Sequence, residues 1–348
     1  ESECRSELWG VTGARDECCE LEKYTALDGA KDCEGGTGTG KSLGRGCVSR
    51  TDYARYAIAA GMLEERELGV NPYRLGFIGS TDTHNGIPGD TEEWNFQGST
   101  GMSDARVEKR LKARIQRNPG GLMGVWATEN SRDAIFDAMR QREVFATSGT
   151  RATVRFFAGK EDFSTSSDSN NWCNQPESVA TAYALGVPMG GELKTSDSAP
   201  PWFAVNAQRD PGTIERPGGL LERLQIIKVK AEEDGQFHQQ VFDIAGGPTG
   251  AGVDPATCRP YGPGADNLCT VWQDPTFEAS ESAAYYVRVI ENPSCRWTTW
   301  NCLDLPEDER PALCSDPSEA KTTQERVWSS PIWYTPRAID SGYATTSP

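Results

Sequence analysis

The sequence predicts an α/β region over residues 1–157 followed by a β-rich, sandwich-like region over residues 158–348. Three observations carry that reading. Up to residue 157 the periodic segments alternate helix, strand, helix, strand, helix, strand, the order of an α/β fold. Beyond it come short apolar or alternating runs with no long amphipathic helix. The 36 glycines and 21 prolines make up about a sixth of the chain, which suits loops and sheets better than a helical bundle.

The first 50 residues are polar and irregular, rich in glycine, cysteine and acids. The short oxygen side chains of Ser49-Arg50-Thr51-Asp52 predict a helix start, with Ala54, Ile58 and Met62 on one face and a stop at Gly69. A strand is expected over Leu75–Gly79, then a loop carrying Asp82 and His84, then a polar loop over 86–101 anchored by Trp94 and Phe96. A second helix spans Asp104 to Arg117, with Val107, Leu111 and Ile115 on its apolar face and its basic residues, Arg110 among them, solvated. Asn118-Pro119-Gly120-Gly121 ends it, and Leu122–Ala127 reads as a buried strand. A third helix, capped near Asn130-Ser131, turns Ile135, Phe136 and Met139 inward. Val144–Ala146 and Thr153–Phe157 read as strands, and residues 159–180 as a surface loop or linker. Farther on, strands are expected at Trp202–Ala207, Leu224–Ala231, Gln239–Ile244, Ala283–Ile290 and Ser330–Tyr334.

The formal net charge of −16, from 35 basic and 51 acidic side chains, repels phosphate backbones and argues against nucleic acid as a partner. No run approaches the roughly 18 apolar residues of a membrane span. Eleven cysteines fall in an N-terminal group, Cys4 to Cys47, and a C-terminal group, Cys258 to Cys314, with Cys173 between them. No C-x-x-C occurs and the spacings do not match a zinc ribbon or finger, so disulfides in a secreted or periplasmic setting are expected. The odd count leaves at least one thiol free or paired outside the chain.

Gly35-Gly36-Thr37-Gly38-Thr39-Gly40-Lys41-Ser42 matches the P-loop letters. It lacks the buried strand before and the helix after that a phosphate cradle needs, so it reads as a chance match. The Gly-x-Ser-x-Gly centred on Ser42 fails the same requirement as a nucleophile elbow. His84 and His238 are the only histidines, and His238 reads as a surface residue at a turn or strand end. The Asp82-Thr83-His84 segment is the more specific signal. In an extended chain Asp82 and His84 project to one side, so a carboxylate oxygen and an imidazole nitrogen form half of a divalent-metal site. The competing reading is an aspartate that caps a turn beside a histidine bonded to backbone.

The run Asn71-Pro72-Tyr73-Arg74-Leu75-Gly76-Phe77-Ile78-Gly79-Ser80-Thr81-Asp82-Thr83-His84-Asn85 resembles the bacterial DUF3604 family, which is similar to the PHP (polymerase and histidinol phosphatase) metal-dependent hydrolases. Further similarity lies at Glu129–Met139, Val144–Gly149, Gly186–Gly191, Tyr285–Pro293 and Trp328–Trp333. The resemblance implies that residues 1–157 form the C-terminal portion of a PHP-like (β/α) barrel. It implies Asp82 and His84 as ligands of a divalent metal ion (Zn, Mn or Ca), with Glu3 a further candidate, and assigns no catalytic residue. Family members carry more ligands upstream of the point where this chain begins. The chain therefore reads as the C-terminal part of a longer protein, with that missing N-terminal segment as its partner. The implied activity is an exported hydrolase of small phosphoesters or related esters. The alternative is a non-catalytic secreted binding or structural protein whose β-rich half contacts a glycan or another protein.

Overall fold

A computed structural model describes residues 54–113, 118–164, 171–195, 198–231, 237–317 and 319–336. In chain order come helix α1 (Ala54–Leu68), α2 (Val107–Ala113), strand β1 (Leu122–Val125), α3 (Arg132–Gln141), β2 (Val144–Thr147) and β3 (Thr153–Gly159). Next are α4 (Asn171–Asn174), α5 (Ser178–Leu185), β4 (Gly186–Pro188), β5 (Glu192–Thr195), β6 (Trp202–Gln208), β7 (Leu221–Ala231) and β8 (Phe237–Gly246). The rest are β9 (Gly252–Asp254), β10 (Arg259–Tyr261), β11 (Asn267–Gln273), β12 (Ala283–Glu291), β13 (Ser294–Cys295), α6 (Trp297–Asp304), β14 (Thr322–Thr323), β15 (Arg326–Ser329) and β16 (Ile332–Pro336).

These strands build an 8-stranded and a 4-stranded sheet, with two small ladders besides. In the large sheet β1, β2, β15, β12, β7 and β8 lie side by side, all antiparallel. Strand β16 continues the line of β15 along the same edge of β12, facing residues 283–285 where β15 faces 288–290. Between them Pro331 has no N–H to give the ladder, and Ser330 turns away, its N–H bonded to Val144 O at 3.1 Å. Strand β5 pairs in parallel with β16. The small sheet runs β11-β6-β3-β4, antiparallel throughout.

Side-chain alternation stacks these sheets. Every residue of β12 is buried, because both of its faces are covered. Tyr285, Val287 and Val289 face the small sheet and join Phe156, Phe203 and Val205 in one core. Ala284 and Tyr286 face the other way and pack with Ile58, Ala59 and Met62 of α1. On the outer face of the small sheet, Phe157, Ala204 and Val271 are covered by Trp172 and Ala182 from α4 and α5. The layers are thus α1, large sheet, small sheet, α4 with α5. Each fully buried Phe, Val or Ile contributes about 1.5–3 kcal/mol, so the paired sheets are the main store of stability.

The PHP-like barrel portion expected over residues 1–157 is overturned: among the described residues the sheets form no closed barrel. A (β/α) barrel needs parallel neighbours, whereas β1 and β2 pair antiparallel, Leu122 opposite Thr147, and β2 is again antiparallel to β15. An apolar run records burial on two faces, not the direction of its neighbour. Strands from both sides of residue 157 share the large sheet, and β3 runs across that position.

Several local expectations also change. The segment Leu75–Gly79 is extended but joins no ladder. A Cβ on Gly79 would lie 2.7 Å from the carbonyl oxygens of Leu122 and Thr147, so the segment packs closely against the β1–β2 pair without pairing with either strand. Helix α3 is capped as expected, Ser131 Oγ accepting from Ala134 N at 3.3 Å, yet Phe136 and Met139 are 58% and 43% exposed. The expected linker at 159–180 instead contains α4 and part of α5. His238 stands at a strand end as expected, second in β8, but is half-buried rather than at the surface. The predicted helix start at residues 49–52, the Gly35–Ser42 segment, Glu3 and the N-terminal cysteines lie outside the described residues.

Candidate functional site

The extended segment that leads to Asp82 is held by side chains and backbone rather than by pairing. Ser330 Oγ donates to Val144 O at 2.6 Å and accepts from Phe77 N at 2.9 Å, tying the segment to the start of β2. The Phe77 ring meets Tyr286 edge-on with centroids 5.5 Å apart. Ser80 O accepts from Gly121 N at 2.9 Å. Gly120 lies so close that a Cβ there would fall 2.5 Å from Thr81 Cα.

At Asp82 the chain turns through φ 48°, a left-handed conformation that a residue with a side chain seldom adopts. The period-two argument therefore does not carry across this residue. Instead the chain folds back, and His84 Nδ1 lies 2.9 Å from the Asp82 carbonyl oxygen. A carbonyl can only accept, so Nδ1 carries the proton and the lone pair sits on Nε2. Both side chains are exposed. The bond to backbone is the arrangement named in the competing reading, and it also leaves Nε2 in the form a metal ligand requires.

A buried polar network fixes the backbone behind this turn. His84 N donates to Ser99 O at 2.7 Å, and Asn85 accepts from Thr83 Oγ1 and donates to Gly98 O, both at 2.6 Å. The Asp104 carboxylate, 1% exposed, receives the N–H groups of Ser99 and Thr100. Arg110 was expected to be solvated, yet it is buried and donates to the carbonyls of Gln97, Asp104 and Ala105 and to Asn301 Oδ1. Its pKa is lowered by burial, which Asp104 and Glu108 partly oppose. Beneath the loop, Phe96 packs on Trp297 at 5.0 Å, as its expected anchoring role requires. Trp94 stays 41% exposed but lies under Arg216, 4.7 Å from the guanidinium carbon to the ring centre.

The donor set is one carboxylate and one imidazole, chemistry that fits two ligands of Zn or Mn better than the all-oxygen shell of Ca. Among the described residues no group of three or more His, Cys, Asp or Glu side chains gathers to hold a metal.

The family described as "Protein of unknown function (DUF3604)" matches residues 1–336. The chain belongs to DUF3604. No curated protein and no solved structure matches it significantly.

This DUF3604 chain has a second polar constellation that sequence reasoning missed. The turn after β2, Ser148-Gly149-Thr150-Arg151, adjoins the candidate loop: a Cβ on Gly149 would lie 3.1 Å from Thr91 O and 3.2 Å from Gly120 O. Carboxylates far apart in sequence converge on it, Glu325 at Ser148, Glu291 at Thr150, and Asp210 and Glu92 at Arg151. No local motif links these positions; only the glutamate closing the apolar run Tyr285–Ile290 hinted at a buried acid. Three disulfides stand among the described residues, Cys173–Cys269, Cys258–Cys295 and Cys302–Cys314, consistent with a secreted DUF3604 protein. No helix of the described residues is long and apolar enough to cross a membrane.

Proposed function

We propose that this chain belongs to an exported metal-dependent hydrolase acting on phosphoesters or related esters, with Asp82 and His84 as metal ligands and Glu3 as a further one. The observation that supports it most is the orientation of His84. With Nδ1–H given to the Asp82 carbonyl at 2.9 Å, the Nε2 lone pair is available to a cation two residues from an exposed carboxylate. A left-handed aspartate held between a glycine-packed segment and a buried Asp104–Arg110 network is costly backbone, of the kind concentrated at functional turns. When bound, the divalent ion would acidify a water and polarise the ester oxygen. The chain's own part is to hold the carboxylate and the imidazole in place through Ser99, Asn85 and Asp104.

The test uses the full-length protein. Metal content after chelation and reconstitution, and turnover over a panel of phosphoesters, would be measured for the wild type, Asp82→Ala and His84→Ala. Bound divalent ion and turnover that both substitutions abolish are expected. Unchanged metal binding in Asp82→Ala would sink the ligand assignment. A folded wild-type protein with neither metal nor turnover would favour the binding-protein reading.

A further inference from the structure

We propose that Glu291 is a pH-sensitive latch on the Ser148–Arg151 turn. The turn is gripped residue by residue. Ser148 Oγ donates to Glu325, Thr91 Oγ1 donates to Gly149 O at 2.7 Å, Thr150 Oγ1 donates to Glu291 Oε1 at 2.5 Å, and Arg151 N donates to Asp210 Oδ2 at 2.8 Å. The hydroxyl of Thr150 also accepts from Ala152 N at 3.0 Å, which leads directly into β3. Glu291 itself is 4% exposed, with Gly219 packed against Oε2.

The charged groups around this carboxyl come from three elements. Glu325 precedes β15, Asp210 and Arg209 follow β6, and Glu222 and Arg223 open β7. Arg209 is engaged with Asp266 at 2.9 Å, and Arg223 with Glu222 at 3.3 Å. Gln324 reaches the Glu291 carbonyl at 3.1 Å. The neighbourhood thus holds three further carboxylates, Glu325, Asp210 and Glu222, against two cations, Arg209 and Arg223, each already paired. Burial pushes the Glu291 carboxyl up to about 8; the Thr150 hydrogen bond pulls it down, Glu325 and Asp210 raise it, and Arg209 lowers it. In the neutral acid the two oxygens sit beneath the turn without placing a third charge beside Glu325 and Asp210. Loss of that proton to solvent, with no other bond broken, sets a buried anion beside two others, and opening the turn relieves it.

The sign follows from linkage. In the opened turn Glu291 has a carboxyl of ordinary acidity, near ~4.3, so the closed form binds the extra proton between that value and about 8. Closure is strongest at acid pH and weakens as the pH rises through this window. The device does not rest on the hydrolase reading, because it can be followed at the turn itself.

Hydrogen exchange of the Ser148, Gly149 and Arg151 amides would be measured in the full chain from pH 6 to 9, each corrected for its intrinsic chemical rate. Protection in the wild type is expected to fall at least about tenfold across this range. Glu291→Gln, which keeps the shape and a Thr150 acceptor without a titrating proton, is expected to show no such fall. Thr150→Val, which removes the latched hydroxyl, should give the low alkaline protection at every pH. Wild-type protection that does not change with pH, an equal fall in Glu291→Gln, or wild-type behaviour in Thr150→Val would each overturn the proposal.

Discussion

Replacing Asp274 by alanine is expected to be one of the most damaging single changes in this protein. Asp274 follows β11 and is 2% exposed. Its Oδ2 lies 2.6 Å from Lys228 Nζ and accepts from Tyr285 OH at 2.8 Å, while Oδ1 accepts from Thr276 N at 2.8 Å. Lys228 points into the same core, its side chain 4% exposed, and it also donates to Thr276 O at 2.7 Å and Oγ1 at 3.3 Å. Burial raises the Asp274 pKa, but Lys228, Thr276 and Tyr285 outweigh it and leave the carboxylate below its usual range. Alanine removes the anion and leaves a buried ammonium and a buried phenol without it. Breaking one side of such a pair costs about 3–5 kcal/mol, since the stranded charge keeps its desolvation penalty. For a chain of 348 residues that is a fall in Tm of about 4–7 °C. Urea and thermal unfolding at pH 7 would read it. The double variant Lys228→Met, Asp274→Leu tests the cause, because removing both charges should recover most of the loss. A single-variant cost below about 1 kcal/mol, or a double variant worse than the single, would refute the reasoning. The pH dependence has a defined sign as well. A depressed carboxylate lends stability above its unfolded value near ~3.9 and loses it as pH falls through the lower folded one, so this pair weakens only in acid. Glu291 has the opposite slope, weakening the fold as pH rises toward about 8.

Three further changes separate the loop from the core. Arg110→Ala strips donors from three loop carbonyls and is expected to cost about 2–4 kcal/mol. It should also expose the 86–105 loop to protease, read by limited digestion and mass spectrometry. Gly120→Ala puts a Cβ 2.5 Å from Thr81 Cα at a backbone φ of 85°, so it should displace the Asp82 turn and weaken divalent-metal binding in titration calorimetry. Ser131→Ala removes the α3 cap and is expected to cost about 1 kcal/mol in urea unfolding without touching metal binding.

The strands were largely legible and their neighbours were not. Runs such as Ala284–Ile290 read as strands because both faces of β12 are buried, which favours β-branched and aromatic side chains at every position. That same two-sided burial erases the information about direction. Leu122–Val125 and Val144–Thr147 flank a helix, as parallel barrel strands would, but β15 from some 180 residues later closes the sheet antiparallel beside β2. The misreading of Leu75–Gly79 has a related cause: the run is apolar enough for a strand, but its glycines let it pack closely against the β1–β2 pair without pairing with it.

The candidate site divides along the same physical line. Asp82 and His84 were visible because they sit two residues apart, and the bond that orients the imidazole spans that same interval. Arg110 looked like a solvated helix residue because its acceptors are carbonyls of a loop that no periodicity describes. Glu291 and Thr150 are 141 positions apart, and neither residue type is unusual where it stands. What makes Glu291 distinctive is the company of Glu325 and Asp210 in a dry place, an attribute of the fold rather than of any segment. In this DUF3604 chain, a local hydrogen bond orients one part of the candidate chemistry and long-range burial controls the turn beside it. A substitution scan of the Asp82 loop alone would miss the second part, whereas varying pH in the intact chain acts on Glu291 while the Asp274–Lys228 pair stays constant above about pH 5.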